Sequence, residues 1–472
     1  MKNINRNMLL IACMSILLFS CRIGLRYQRS AELALTEHYR GQSGSDTSNI
    51  ADLSWKTFFA DTLLKKLIDS ALKNNLDLKT AVARMGAAEA SLRQSKAMFF
   101  PSLTIDADYS LTKNSPAQLQ AFGNNAATTS IPSINTYALT GTTSWEADIW
   151  GKLRGSKRAA LANYLQSDAY KRAVQTRLIS QVAQSYYALA AYDKQLEITL
   201  ETIRIRQKDI STVKALMASD KLNGADVVNS ESNLYAAQVT VPDIQQNITE
   251  LENAISLLLG KSPDTIYRSK LEALENFKPL NAGVPAQLLR NRPDIQQAEF
   301  ELINKFELVN VARSNFYPQL TISATGGWAT VNSIKSFFDG TFYGNLIGGL
   351  TQPIFNQGLN KQRLKIAQSE REEALNNFKY NLLNAYQETA NALASYRNAT
   401  NKFELRTKQV NSLTKSVEFT QELLSYTTTT NYVDVLTAET NLLNAQLNSI
   451  NDRLQQLQAG VDLYRSLGGG QK

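Results

Sequence analysis

Two kinds of hydrophobic period divide the chain. After Pro101, the apolar or small residues Leu103, Ile105, Ala107, Tyr109 and Leu111 alternate with Thr104, Asp106, Asp108 and Ser110, the period of two that a strand shows when its faces meet different surroundings. Tyr137, Leu139, Gly141, Trp145, Ala147 and Ile149 alternate in the same way with Thr140, Thr142, Ser144, Glu146 and Asp148. Leu320, Ile322, Ala324 and Trp328 repeat the pattern, and Phe342, Leu346 and Leu350 continue it more weakly. Strands of about ten residues with an apolar outer and a polar inner face suit a membrane barrel, because lipid tolerates no unsatisfied backbone edge. A soluble sandwich would show the same alternation strand by strand. Barrels of this kind begin at about eight strands, so four per chain can close one only if neighbouring chains supply the rest.

Elsewhere the period is helical. Neither glycine nor proline occurs between Ser156 and Asn223 or between Leu359 and Ala459, which predicts very long helices. A run of about 68 residues rises roughly 100 Å and needs packing partners along its whole length. Leu178, Val182, Leu189, Leu196 and Leu200 recur three, four or seven residues apart, often with alanine or serine between them, as in helices packed side by side. A solid trimeric coiled coil would need strict heptads, whereas alanine, serine and asparagine here occupy several faces. A hollow helical wall fits that composition better.

The two periods occur twice, in the same order. Phe99-Phe100-Pro101-Ser102-Leu103-Thr104-Ile105 returns as Phe316-Tyr317-Pro318-Gln319-Leu320-Thr321-Ile322, and Asn75-Leu76-Asp77-Leu78 matches Arg292-Pro293-Asp294-Ile295 at the same offset. Asp148-Ile149-Trp150 and Gly151 parallel Pro353-Ile354-Phe355 and Gly358, and Ala225-Asp226-Val227-Val228 parallels Val433-Asp434-Val435-Leu436. The expected division is a signal peptide over 1–20, an N-terminal segment over 21–56, a first repeat over 57–260, a linker over 261–286, a second repeat over 287–459 and a tail over 460–472. The linker holds Pro263, Pro279 and Pro285 without a helical period, so it is expected to cross the outside of the wall as a belt. Residues 113–135 read as a surface loop whose counterpart near 331–340 is shorter. Pro242 is expected to interrupt the helix that follows Asp226.

Lys2 and Arg6 precede an apolar run from Met8 to Phe19, too short for a membrane span of about 20 residues and typical of a signal peptide. Leu18-Phe19-Ser20-Cys21 resembles the bacterial lipobox, which implies that Cys21 becomes a lipidated N-terminus. Cys13 would leave with the signal, so one cysteine remains and no intrachain disulfide can form. Loss of Lys2 and Arg6 reduces the net charge of +8 to +6, spread without a basic block, which gives no support for nucleic-acid binding.

Little in the chain points to catalysis. His38 is the only histidine, and no Ser/His/Asp set, phosphate loop or CxxC pair is present. Gly468-Gly469-Gly470 lacks the following lysine of a phosphate loop and reads as a frayed terminus. Asp106, Asp108, Glu146 and Asp148 would face a water-filled lumen, where solvation accounts for them. The expectation is a non-enzyme with no cofactor and no metal.

Leu288-Leu289-Arg290-Asn291-Arg292-Pro293-Asp294-Ile295, followed by Ala298-Glu299, resembles the signature of the TolC-like outer-membrane efflux proteins, in the lipoprotein branch (OprM/NodT-like) that serves RND-type pumps. Trp55, Phe58-Phe59 and Asp61, then Leu72, Asn74-Asn75 and Leu76-Asp77-Leu78, support it, as do the two Phe-x-Pro-x-Leu turns and Pro353-Ile354-Phe355. The resemblance implies an α+β membrane protein, a homotrimeric channel-tunnel with four strands and four long helices per protomer. Twelve strands would form an outer-membrane barrel, and twelve helices a periplasmic tunnel. It also implies a periplasmic adaptor, an inner-membrane RND pump and surrounding outer-membrane lipid as partners, and passive export of small molecules such as drugs and toxic compounds. Type I secretion or metal export, and from a different class a surface fibre or adhesin, are the alternatives. By the same resemblance, three copies of Asp434 ring the periplasmic aperture, and Asp226 and Tyr426 stand near the bonds that hold the helices inward. Thr430 or Asn431 stands where some relatives have an arginine, and Thr437 where some have a second aspartate. Asp226 and Asp434 also suit helix N-termini without any gate, a role worth roughly 0.3 to 1 kcal/mol each.

Overall fold

The computed structural model describes residues 24–29, 49–113, 115, 133–274, 277, 285–426 and 432–471. Cys21, His38 and most of the loop expected over 113–135 lie outside them. Among the described residues, seven helices longer than a single turn and four strands run in the order α1 (Thr62–Asn74), α2 (Leu76–Ala97), β1 (Ser102–Lys113), β2 (Ser133–Ala147), α3 (Lys152–Ala218), α4 (Gly224–Leu258), α5 (Pro293–Ser314), β3 (Gln319–Val331), β4 (Phe342–Thr351), α6 (Leu359–Tyr426) and α7 (Tyr432–Ser466). The sequence repeat reappears as matched lengths. Helices α2 and α5 have 22 residues each, α3 and α6 have 67 and 68, and α4 and α7 have 35 each. The α+β class, with four strands and four long helices, is as the resemblance implied. Among the described residues no helix is long and apolar enough to cross a membrane.

The chain divides into two compact units, the first comprising residues 1–29, 86–165 and 300–376 and the second the remainder. In the first, the strands form one antiparallel sheet in the order β1-β2-β3-β4. Register sorts its faces: Ile105 pairs with Gly141, Ala107 with Leu139, Leu139 with Trp328, Trp145 with Ile322, Ala324 with Leu346 and Trp328 with Phe342. Because successive side chains alternate, that register gathers the apolar set of all four strands on one face, and Thr104, Asp106, Asp108, Thr140 and Thr142 on the other. Leu103, Ile105, Phe342, Leu346 and Leu350 are nevertheless exposed. The strands approach most closely at Gly327, where an added Cβ would lie 2.1 Å from the Leu139 carbonyl oxygen. Two indoles brace the sheet base: Trp145 Nε1 donates to the Phe99 carbonyl at 2.9 Å and Trp150 Nε1 to the Pro318 carbonyl at 2.6 Å, one bond to each copy of the proline turn.

In the second unit α1 buries Leu64, Ile68 and Ala71 completely, one stripe at spacings of four and three. Leu178, Val182 and Leu189 of α3 are buried as their spacing predicted, but Leu200 is half exposed. The segment after α4 packs Ile266, Leu271 and Leu274 inward, while Arg268 pairs with Asp193 at 2.6 Å and with Glu252.

Three local expectations are corrected. Strand β2 ends at Ala147, so Asp148 does not face a lumen. Its carboxylate instead accepts from the Leu153 and Arg154 amides at 2.9 and 3.0 Å, an anion neutralising free N–H groups at the start of α3. Pro242 does not end its helix, since α4 continues through it to Leu258; only one intrahelical bond, to the Gln238 carbonyl, is forfeited. Gly468-Gly469-Gly470 is not frayed but buried. Gly468 has φ +93 and sits where a Cβ would be 2.1 Å from the Asn291 carbonyl oxygen, and the Gly470 amide donates to the Tyr464 hydroxyl at 2.9 Å. Helix α7 itself runs to Ser466, well into the stretch expected as a tail.

Candidate gate at the helix turns

Helices α3 and α4 meet in a turn that the local sequence dictates. Asp220 takes the left-handed conformation at φ 57, and Lys221 and Asp220 donate to the Leu216 and Met217 carbonyls, both at 3.0 Å. These two bonds close the end of α3 as a Schellman motif, with aspartate where glycine is commoner. Asn223 then caps α4: its Oδ1 accepts from Ala225 N at 2.8 Å and Asp226 N at 3.3 Å, and Asp226 Oδ2 accepts from Asn223 N at 2.9 Å. This reciprocal pair is a capping box, so Asp226 stabilises a helix start whatever else it does.

Around the second turn, Tyr426 is the last residue of α6 and Tyr432 the first of α7; Thr430 and Asn431 lie outside the described residues. Tyr426 and Asp434 are both exposed, and Asp434 sits in the first turn of α7. A small core of Val213, Val227 and Tyr432, with Leu222, Leu424 and Leu436 against it, holds the two turns together. Between α4 and α7 runs a groove of about 270 Å³ lined by Leu222, Asp226, Tyr432, Val433, Leu436 and Thr437 among others. Asp226 and Thr437 therefore share one groove, while Tyr426 and Asp434 do not line it.

Next to that core is a charged group that the sequence reading missed. Arg206 and Asp209 on α3 precede Val213 by seven and four residues, and Glu439 follows Tyr432 by seven and Val435 by four. The spacing puts ionisable groups on inward stripes, which is the signal that could have found them. Arg206 Nη2 donates to Thr440 Oγ1 at 3.2 Å and Gln421 Nε2 to Glu439 Oε1 at 3.0 Å. Burial, then the facing Asp209 carboxylate, push the Glu439 carboxyl up to about 7. Burial also raises Asp209, against hydrogen bonding and the Arg206 and Lys208 charges, and raises the Tyr432 phenol.

A sheet that gathers most of its large apolar residues on one face, many of them exposed, and is continuous in sequence with helices of 35 to 68 residues, is the build of a channel-forming outer-membrane protein. Comparison with known proteins agrees. A family model described as outer membrane efflux protein matches residues 67–261 and 284–469. CusC, a cation efflux system protein of Escherichia coli K12, is 31% identical over 395 residues, 82% of this chain and 82% of that protein. TtgC of Pseudomonas putida, a probable efflux pump outer membrane protein, is 25% identical over 470 residues, 98% of this chain and 96% of that one. A crystal structure of CusC superposes with a TM-score of 0.84 at 25% identity, over 95% of this chain and all of that one, and the open MtrE channel of Neisseria gonorrhoeae does so at 0.85 and 24%, over 96% and 99%. The chain belongs to the outer membrane efflux protein family.

Proposed function

We propose that the chain is one subunit of a homotrimeric exit duct, twelve strands closing a barrel in the outer membrane and the helices forming a periplasmic tunnel. The observation that carries this reading is the sheet, since among the described residues the outer edges of β1 and β4 have no strand partner, and such edges are not tolerated in lipid. Three four-stranded sheets joined edge to edge remove every edge. The duct is passive and performs no chemistry, and it takes small molecules from a periplasmic adaptor and an inner-membrane RND pump to the exterior. Drugs and other toxic organic compounds are the first substrate class; the 31% identity to a cation efflux protein supports metal ions as the second.

Residues 1–20 are a signal peptide in this reading, and Cys21 carries the lipid anchor. Four residues on, the Leu25 amide and carbonyl bind Asn310 of α5 at 3.2 and 3.0 Å, and Tyr27 packs edge-on against Phe306. At the other end Asp434 lines the aperture, with Asp226 and Tyr426 beside the contacts that hold it closed. Three carboxylates about 6 Å apart in water repel by only about 0.7 kcal/mol per pair, so Asp434 tunes ion selectivity while helix packing keeps the gate shut.

The test is single-channel recording with the purified protein in a planar bilayer. A small, cation-preferring, gated current is expected; no current from correctly folded protein would overturn the duct and favour a fibre. For substrate, a strain lacking the chain should accumulate an organic dye or a metal cation, and whichever accumulates decides between the two classes.

A further inference from the structure

The charged group between α3 and α7 is incompletely paired: among the described residues Arg206 Nε and Nη1 and the Tyr432 hydroxyl are buried without a hydrogen-bond partner, as are two carboxylate oxygens. Glu439 Oε1 is satisfied by Gln421, but among the described residues Glu439 Oε2 and Asp209 Oδ2 are buried without a donor. The two carboxyls face each other, and because ionised carboxylates only accept, a bond between them requires a proton on one of them. Charge points the same way. Arg206, 6% exposed, supplies one positive charge against two carboxylates, so a single proton makes the trio neutral where Tyr432 and the Val213–Val227 core exclude water. Among the described residues no second buried cation balances the two carboxyls. Lys208 on α3 is exposed, Lys214 of α3 is engaged with Glu231 of α4 at 2.9 Å, α6 presents the neutral Gln421, and α7 adds only Tyr432 and Thr440.

We propose that Asp209 and Glu439 share one proton, and that this shared proton is a latch fastening the first turns of α7 to α3 beside the helix turns. Both carboxyls are shifted upward, so the folded chain keeps a proton that the unfolded chain has released. The α3–α7 contact is then at full strength below the ordinary carboxylate range, weakens as pH rises, and is weakest once pH exceeds about 7. Above that point two carboxylates face each other with one guanidinium to balance them. The latch stands on this cluster; only its consequence for conductance rests on the proposed gate.

Backbone hydrogen exchange over 432–440 in the assembled protein, expressed as protection factors at about pH 5.5 and about pH 8, reads the latch directly. Protection should fall at least about ten-fold at the higher pH in the unaltered protein, a comparison that needs no variant. Glu439→Gln and Asp209→Asn each replace an acid by an isosteric amide with a permanent donor, and should keep the acid-state protection at both pH values. Equal protection at both pH values in the unaltered protein, or an unchanged pH response in the variants, would overturn the latch. Bilayer conductance is measured in parallel and should rise at the higher pH in the unaltered protein but not in Glu439→Gln. A protection change without a conductance change upholds the latch and overturns the gate reading instead.

Discussion

Around α1 the second unit is closed by aromatic rings: Tyr464 stacks on Phe58 at 4.0 Å, Phe58 on Phe277 at 4.8 Å, and Phe59 meets Phe58 edge-on at 5.0 Å. The polar groups of Asp61 and Tyr186 beside them are answered. Asp61 caps α1 at the Leu63 and Leu64 amides at 2.7 and 3.0 Å and accepts from the Tyr186 hydroxyl at 3.0 Å, while that hydroxyl accepts from the Ser269 amide at 2.8 Å. At the helix turns three buried residues make the core, and the adjoining polar atoms Arg206 Nε and Nη1, Asp209 Oδ2 and Glu439 Oε2 are buried without partners. Elements that move are drawn from the weakly held end of a structure. The comparison separates the part that fixes the fold from the part able to rearrange, and it does so inside one unit of one chain.

Tyr464→Ala should have the largest effect. Removing a buried aromatic ring costs about 3 to 5 kcal/mol, and here the hydroxyl bonds to Leu53 and Gly470 are lost as well. Loss of assembled protein from the outer-membrane fraction would show it; a cost no greater than that of any turn variant would erase the contrast. Asp61→Ala should cost about 2 kcal/mol, from the lost cap and the stranded Tyr186 hydroxyl, read as a lower thermal midpoint. Burial pushes Asp61 up, but bonds from Ser269, Leu64, Tyr186 and Leu63 outweigh it and hold the carboxyl below its usual value. Its contribution is therefore present above the ordinary aspartate range and lost as pH falls through the depressed value. Acid should loosen the α1 region while it tightens the turns, and limited proteolysis across pH would show cleavage moving from one region to the other.

Smaller effects belong to the turns. Val227→Ala should cost about 1.5 kcal/mol, two buried methyl groups, and raise open probability in bilayer recordings. Asp226→Ala breaks the capping box for about 1 kcal/mol and should raise conductance modestly. Asp434→Ala should leave the melting temperature nearly unchanged but reduce cation preference and block by multivalent cations; unchanged selectivity would assign Asp434 to helix-start stabilisation alone.

Much of the fold was legible because it is periodic. Strand faces, helix lengths and the doubled order all follow from spacing, and the shared offset of Pro101 and Pro318 carried over to β1 and β3. What failed was punctuation. Asp148 continues an alternating run yet caps a helix, because the alternation of types does not reveal where hydrogen bonding stops. Pro242 is a helix breaker by propensity, but a helix of 35 residues tolerates one missing bond. The glycine triplet looked frayed because its anchors, Asn291 and Tyr464, are remote or unremarkable in sequence. At the turns, Asp226 and Asp434 were visible as a repeated motif, whereas the Asp209–Glu439 contact joins residues on helices far apart in the chain, which no local pattern announces.

Helices α4 and α7 have equal lengths, but proline occurs only in α4, at Pro242. Between Gly224 and Pro242 lie about 18 residues, an arm of about 27 Å, and a missing backbone donor is where helices bend most readily. Bending by about 5° at that point would carry the Gly224 end sideways by roughly 2 Å, about half the width of a contact between packed side chains. The two returning helices are thus mechanically unequal: α7 can transmit a push along its length, whereas α4 can absorb one at its joint.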